Sequence, residues 1–125
     1  MVKSLISTII AILILIGGAI YEHNYITSNF SDFNKNLNNL YEKVENESAS
    51  VNDVLSVQES WLDKKQHLHI FIPHTEIKEI DLWLSETVSY VREKEWTEAI
   101  SKLEVLIELS EQIPLTFNLR LENIF

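Results

Sequence analysis

From Leu5 to Ile20 the chain is apolar except for Ser7, Thr8 and two glycines, and Lys3 is the only charged side chain among its first twenty-one residues (MVKSLISTIIAILILIGGAIY). As a helix, Val2 to Tyr21 rises roughly 30 Å, about the thickness of a hydrocarbon core. Ten of these residues are Leu or Ile. At about half a kcal/mol each, they favour the bilayer by roughly 5 kcal/mol. The segment therefore reads as a transmembrane signal-anchor over residues 1–21, with residues 22–125 as a separate helical domain. Lys3 and the terminal amine precede the run, while Glu22 and Asp32 follow it. Cations are retained on the cytoplasmic side, so the expected location is the cell membrane, single-pass, with residues 22–125 extracytoplasmic. The competing reading is a signal peptide cleaved after Ala19, where Gly17 and Ala19 supply the small residues that cleavage needs. Lipoprotein attachment requires a cysteine, and the chain has none.

All 19 acidic residues and nine of the ten basic ones lie beyond residue 21, a balance of −10 there. Such a surface repels phosphate backbones and anionic headgroups, which excludes nucleic acid as a natural partner. Without cysteine there is no disulfide, no thiol nucleophile and no thiolate zinc site. Both glycines sit in the apolar head and only two prolines follow, so material for tight turns is scarce and long helices are expected. Abundant Ile, Asn, Lys and Glu suits an AT-rich bacterial genome.

The apolar spacing supports an all-α fold: an N-terminal transmembrane helix followed by a small antiparallel bundle of about four helices. Ile26, Phe30, Phe33, Leu37, Leu40 and Val44 advance in alternating steps of four and three, a helical stripe continuing from the span to about Glu45. Asn46 to Ser50 is the expected break, with Ser50 and Asp53 forming a capping box. The second helix carries Val51, Val54, Leu55, Trp61, Leu62, Leu68 and Ile72. The same rhythm also runs through the break (Glu47, Val51, Val54, Gln58, Trp61, Lys65, Leu68, Ile72), which leaves one uninterrupted helix as an alternative. Pro73 ends this element. His74 or Thr75 then caps a third helix whose inner face is Ile77, Ile80, Leu84, Thr87, Val88 and Val91, flanked by Trp83 and Tyr90. After the polar turn at residues 92–95, a fourth helix places Trp96, Ala99, Ile100, Leu103, Leu106, Ile107 and Ser110 inward until Pro114. The tail is expected to be a short helix after a kink, docking Phe117, Leu121, Ile124 and Phe125 on the bundle.

Candidate chemistry is sparse. His67, His69 and His74 form the one imidazole-rich segment, yet residues two apart on a helix point about 200° apart and cannot share an ion. No metal or cofactor site is assigned. Glu104, Glu108 and Glu111 share one side of the fourth helix, as a solvated face or a calcium site. Glycine-dependent phosphate loops and nucleophile elbows are ruled out, and no paired constellation points to an enzyme. Leu82, Val105 and Leu109 point away from the inner faces, making them candidate partner-docking residues. Trp61, His74 and Trp83 are the candidate lining of an interhelical pocket.

The stretch from Trp61 to Val91, centred on Phe71-Ile72-Pro73-His74-Thr75-Glu76-Ile77, and the ending Leu121-Glu-Asn-Ile-Phe125 resemble a family of short bacterial proteins catalogued as domain of unknown function 4363. The resemblance extends over nearly the whole chain and implies one N-terminal span followed by a helical outer domain. Members are often encoded beside a multi-span membrane family, which implies an integral membrane partner. The functional expectation is a membrane-anchored accessory protein whose bundle docks on such a partner or on a second copy. The alternative is an extracytoplasmic sensory or ligand-binding module.

Overall fold

Helix α1 runs without interruption from Val2 to Glu45, 44 residues, in the computed structural model. The structure describes the backbone of residues 1–124 and the side chains of residues 1–116. Helices α2 (Val51–Leu68), α3 (His74–Arg92) and α4 (Trp96–Ile124) follow, and among the described residues there is no strand. None of the most apolar stretch of α1 is buried among the described residues. Its C-terminal half buries Ile26, Phe30, Phe33, Leu37, Leu40 and Val44, the same six residues that the four-and-three spacing selects.

The helices alternate in direction and close a ring in which α1 packs on α2 and α4, and α3 packs on the same two. Side-chain pairs give the register. Lys43 meets Asp53 at 3.2 Å, Lys64 approaches Asp32 at 3.9 Å, and the Tyr25 and Phe71 rings meet edge-on at 6.2 Å. Each step down α1 is therefore matched by one step along α2, from the far end of the bundle to the end where the apolar half of α1 emerges. On the other side of α1, Asn34 donates to Ser110 Oγ at 2.8 Å and the Tyr41 hydroxyl to Glu104 at 3.3 Å.

Trp61 occupies the centre. Only 1% exposed, it lies against Phe30 (6.1 Å between centroids) and meets Phe33 edge-on at 4.8 Å. Its indole N–H donates to Asp81 Oδ1 at 2.8 Å, while Lys65 holds the other carboxylate oxygen at 2.8 Å. One side chain thus ties α2 to α1 through rings and to α3 through a charge-assisted hydrogen bond. No buried side-chain nitrogen or oxygen among the described residues lacks a partner. Buried Thr87 and Ser110 both donate back into their own helix, to the carbonyls of Trp83 and Ile107.

The turns solve a shortage of glycine. At the end of α1, Ser48 N–H reaches the Lys43 carbonyl and Glu47 N–H the Val44 carbonyl. At the end of α3, Glu95 N–H reaches Tyr90 and Lys94 N–H reaches Val91 in the same pattern. This double bond requires a left-handed residue, usually glycine; here Glu47 (φ 56°) and Lys94 (φ 57°) fill the position. The break at Asn46 to Ser50 is thus real, and Ser50 and Asp53 form the capping box expected of them.

Other details depart from the sequence reading. Leu55 and Leu62 are exposed rather than inward. The inward row of α2 instead follows the heptad-like rhythm through Val54, Trp61 and Leu68, because Asp81 draws Lys65 to that side. Neither His74 nor Thr75 caps α3. Helical bonding begins from the Pro73 carbonyl, which accepts from Glu76 and Ile77, and this places Pro73 at the cap with no side-chain acceptor. Helix α4 continues through Pro114 to Ile124, so the proline removes one backbone donor without ending the helix. The expected docking of Phe117, Leu121, Ile124 and Phe125 lies outside the described residues.

These contacts set three expectations for the full chain in mild detergent, followed by circular dichroism during chemical denaturation. Trp61→Ala costs about 3–5 kcal/mol. Asp81→Ala costs about 1–3 kcal/mol by stranding a buried indole N–H, and an unchanged midpoint would remove Asp81 from this role. Lys94→Gly stabilises by about 0.5–1 kcal/mol, since the left-handed penalty on a side-chain-bearing residue exceeds the added chain entropy of glycine; a lower midpoint would contradict the turn assignment. A further expectation concerns pH. The Asp53 carboxyl is held below its ordinary value by the Ser50 backbone N–H and then by Lys43. A lowered folded value means that its contribution is complete above the ordinary carboxylate range, near pH 4, and is lost as pH falls through the folded value. The stability difference between the native chain and Asp53→Asn is therefore full at about pH 6 and shrinks toward zero below about pH 3.

Candidate functional site

The outer side of the α3–α4 hairpin is where the exposed apolar residues of the bundle can be weighed. Leu82 stands on the back of α3 at 55% exposure, opposite the stripe that buries Ile80 and Leu84. Val105 and Leu109 lie half-buried on α4, and Leu109 also packs against the core. Helix α1 does not cover them, because it meets α4 along another flank, through Ser110, Glu104 and Glu111. The three residues share the outer side of one hairpin, with Leu82 its most exposed member.

Trp61, His74 and Trp83 are not brought together in the same way. Trp61 fills the interior among Phe30, Phe33 and Asp81. His74 is the exposed first residue of α3. Trp83 is half-buried on the α4 side, where the Lys102 ammonium sits 4.8 Å from its ring centre and pairs with Glu86 at 3.6 Å. Asp81 and Trp83 are two residues apart on α3 and so face different neighbours, one α2 and the other α4.

The carboxylates of α4 border an open groove of about 420 Å³ against α1, lined by Asn38, Tyr41, Glu104, Ile107, Glu108, Glu111 and Gln112. Loss of water contact, and then the Glu104 carboxylate beside it, push the Tyr41 hydroxyl above its ordinary value. Glu104 accepts from that hydroxyl and Glu111 lies 3.4 Å from Asn34 Nδ2, so two of the three acids turn toward α1. A second groove of about 340 Å³ lies between α1 and α2, lined by Asn36, Asn39, Lys43, Asp53 and Ser60 among others. The asparagines of α1, which helical spacing puts on its polar face, thus flank the buried stripe on both sides. Among the described residues, no three His, Asp or Glu side chains converge on a point where a metal ion could sit. His69 instead lies 3.3 Å from the Lys65 carbonyl through Nδ1.

The sequence reading gave no weight to Asp81, Lys65 or Lys102. All three are functional parts of the fold, anchoring Trp61 and covering Trp83. Their signal was present only as charged residues placed beside tryptophans at helical spacing.

No curated protein and no solved structure matches the chain. One protein family does, over residues 20–124, which takes in the emergence of α1 from its apolar half and the whole bundle. The chain belongs to that family, described as Domain of unknown function (DUF4363).

Proposed function

We propose that this protein is a membrane-anchored accessory protein, and not an enzyme, whose helical bundle docks on an integral membrane partner or on a second copy of itself. The observation that carries the proposal is the continuity of α1. One helix near the N-terminus is long and apolar enough to cross a membrane, and it shares an unbroken backbone with the helix at the core of the bundle. A helix buried in a soluble core would hide its apolar residues; this one hides none of its most apolar stretch. The charge pattern supports a cytoplasmic N-terminus and an extracytoplasmic bundle, with Lys3 before the span and a strongly acidic chain after it.

Anchoring confines the bundle and any membrane partner to two dimensions at a fixed height. The effective concentration this creates lets a small docking patch suffice. Leu82, Val105 and Leu109 are the residues proposed for that patch. Less supports a ligand-binding module, since Trp61 fills the interior and Trp83 faces a different neighbour from Trp61.

The expected result of affinity purification from detergent-solubilised membranes is that Leu82→Asp and Leu109→Asp each reduce recovery of the co-purifying membrane protein, or of a differently tagged second copy, at least several-fold. Circular dichroism confirms that each variant remains folded. Unchanged recovery with both variants would reject the patch.

A further inference from the structure

The α2–α3 turn lies at the end of the bundle where the apolar half of α1 emerges, and it joins a lack of carboxylates to an exposed apolar tip. Gln66 to Thr75 (QHLHIFIPHT) contains no carboxylate, and neither does His23 to Ser31 on the facing stretch of α1. The turn is also apolar in two directions. Ile72 points into the core, 4% exposed, whereas Ile70, two residues earlier, is 72% exposed at the tip. The backbone there is tightly fixed, with the Leu68 carbonyl accepting from both Phe71 and Ile72 at 2.9 Å. Ile70 is therefore presented outward by a rigid turn.

The height of that turn follows from its contacts. Phe71 meets Tyr25 edge-on, and Tyr25 in turn stacks on Tyr21, each with centroids 6.2 Å apart. Tyr25 lies five residues beyond Ile20, about 7 Å further along the helix axis. Each headgroup layer is roughly 5–8 Å thick. The tip thus falls at the outer boundary of the headgroups, level with a short ladder of tyrosines of the kind that favours membrane–water interfaces.

We infer that the α2–α3 turn is a second membrane contact: Ile70 enters the headgroup layer of the bilayer that holds α1, with Phe71, Tyr25 and Tyr21 beside it. Two contacts, the span and the tip, fix the tilt and rotation of the bundle about the membrane normal. This determines which flank faces a neighbouring membrane protein. The bilayer is the occupant that the geometry favours because α1 carries the tip to its surface, and because neither the turn nor the His23 to Ser31 stretch facing it carries a carboxylate that an interface would repel. The inference rests on the reading of α1 as a membrane anchor.

The absence of native cysteine makes the test clean. Single-cysteine variants of the full chain, Ile12→Cys in the span, Ile70→Cys at the tip and Glu95→Cys at the far end, are labelled with an environment-sensitive fluorophore and reconstituted into phosphatidylcholine vesicles. Quenching is then measured with phosphatidylcholine carrying a nitroxide at a shallow acyl position. The expected result is strong quenching at Ile12→Cys and Ile70→Cys, at least threefold that at Glu95→Cys. Quenching at Ile12→Cys with Ile70→Cys no different from Glu95→Cys would overturn the tip contact and leave the anchor standing. That is also the outcome if a second copy covers the tip. Absence of quenching at Ile12→Cys would overturn the anchor itself, and the tip contact with it.

Discussion

The bundle depends on the burial of one tryptophan whose polar edge must be satisfied. Trp61 brings the largest fully buried side chain of the chain into the centre, where Phe30 and Phe33 receive its faces. An indole N–H cannot be left without an acceptor there, so α3 must supply one, and Asp81 does. Lys65 holds the other oxygen of that half-exposed carboxylate. The requirement runs from α1 through α2 to α3 and fixes the rotation of each helix against the next. The exposure of Leu55 and Leu62 follows from it, because α2 cannot present both those residues and the Trp61–Lys65 edge to its neighbours.

The second constraint is that α1 carries two kinds of surface on one helix. From Leu5 to Ile20 it is apolar apart from Ser7, Thr8 and two glycines, whereas its C-terminal half has a buried stripe bordered by asparagines on both flanks. Since the helix is unbroken, the bundle is rigidly coupled to the orientation of the apolar half. A bundle attached through a flexible linker could sample many heights and rotations. Here the position of the α2–α3 turn relative to Ile20 follows from helical rise and the fixed register of α1 on α2. This rigidity gives the proposed accessory role its physical content: the patch at Leu82 is presented at a set height.

Periodicity made much of the architecture legible. The six buried residues of α1 and the six of α3 are those selected by helical spacing, and two of the three turns fall where polar runs interrupt it. The failures are equally instructive. Pro114 reads as a stop, yet a helix can lose one backbone donor and continue when its flanking turns remain bonded. His74 and Thr75 look like caps, but the Pro73 carbonyl already starts α3 one residue earlier. Trp61, His74 and Trp83 do not line one pocket, because spacing alone does not say which helix a given flank will meet.

The sequence by itself determined the helical class, the apolar N-terminal segment, the inward faces of α1 and α3, and the two polar breaks, because each is set by local hydrogen bonding, spacing and turn chemistry. Only the tertiary structure decided that Trp61 and Asp81 are partners, that the inward row of α2 runs through Val54, Trp61 and Leu68 without Leu62, and that Phe71 sits beside Tyr25 near the emergence of the apolar helix. Those facts depend on how four faces rotate against one another to bury every polar group with a partner, a condition met by residues twenty or more positions apart that no window along the chain contains.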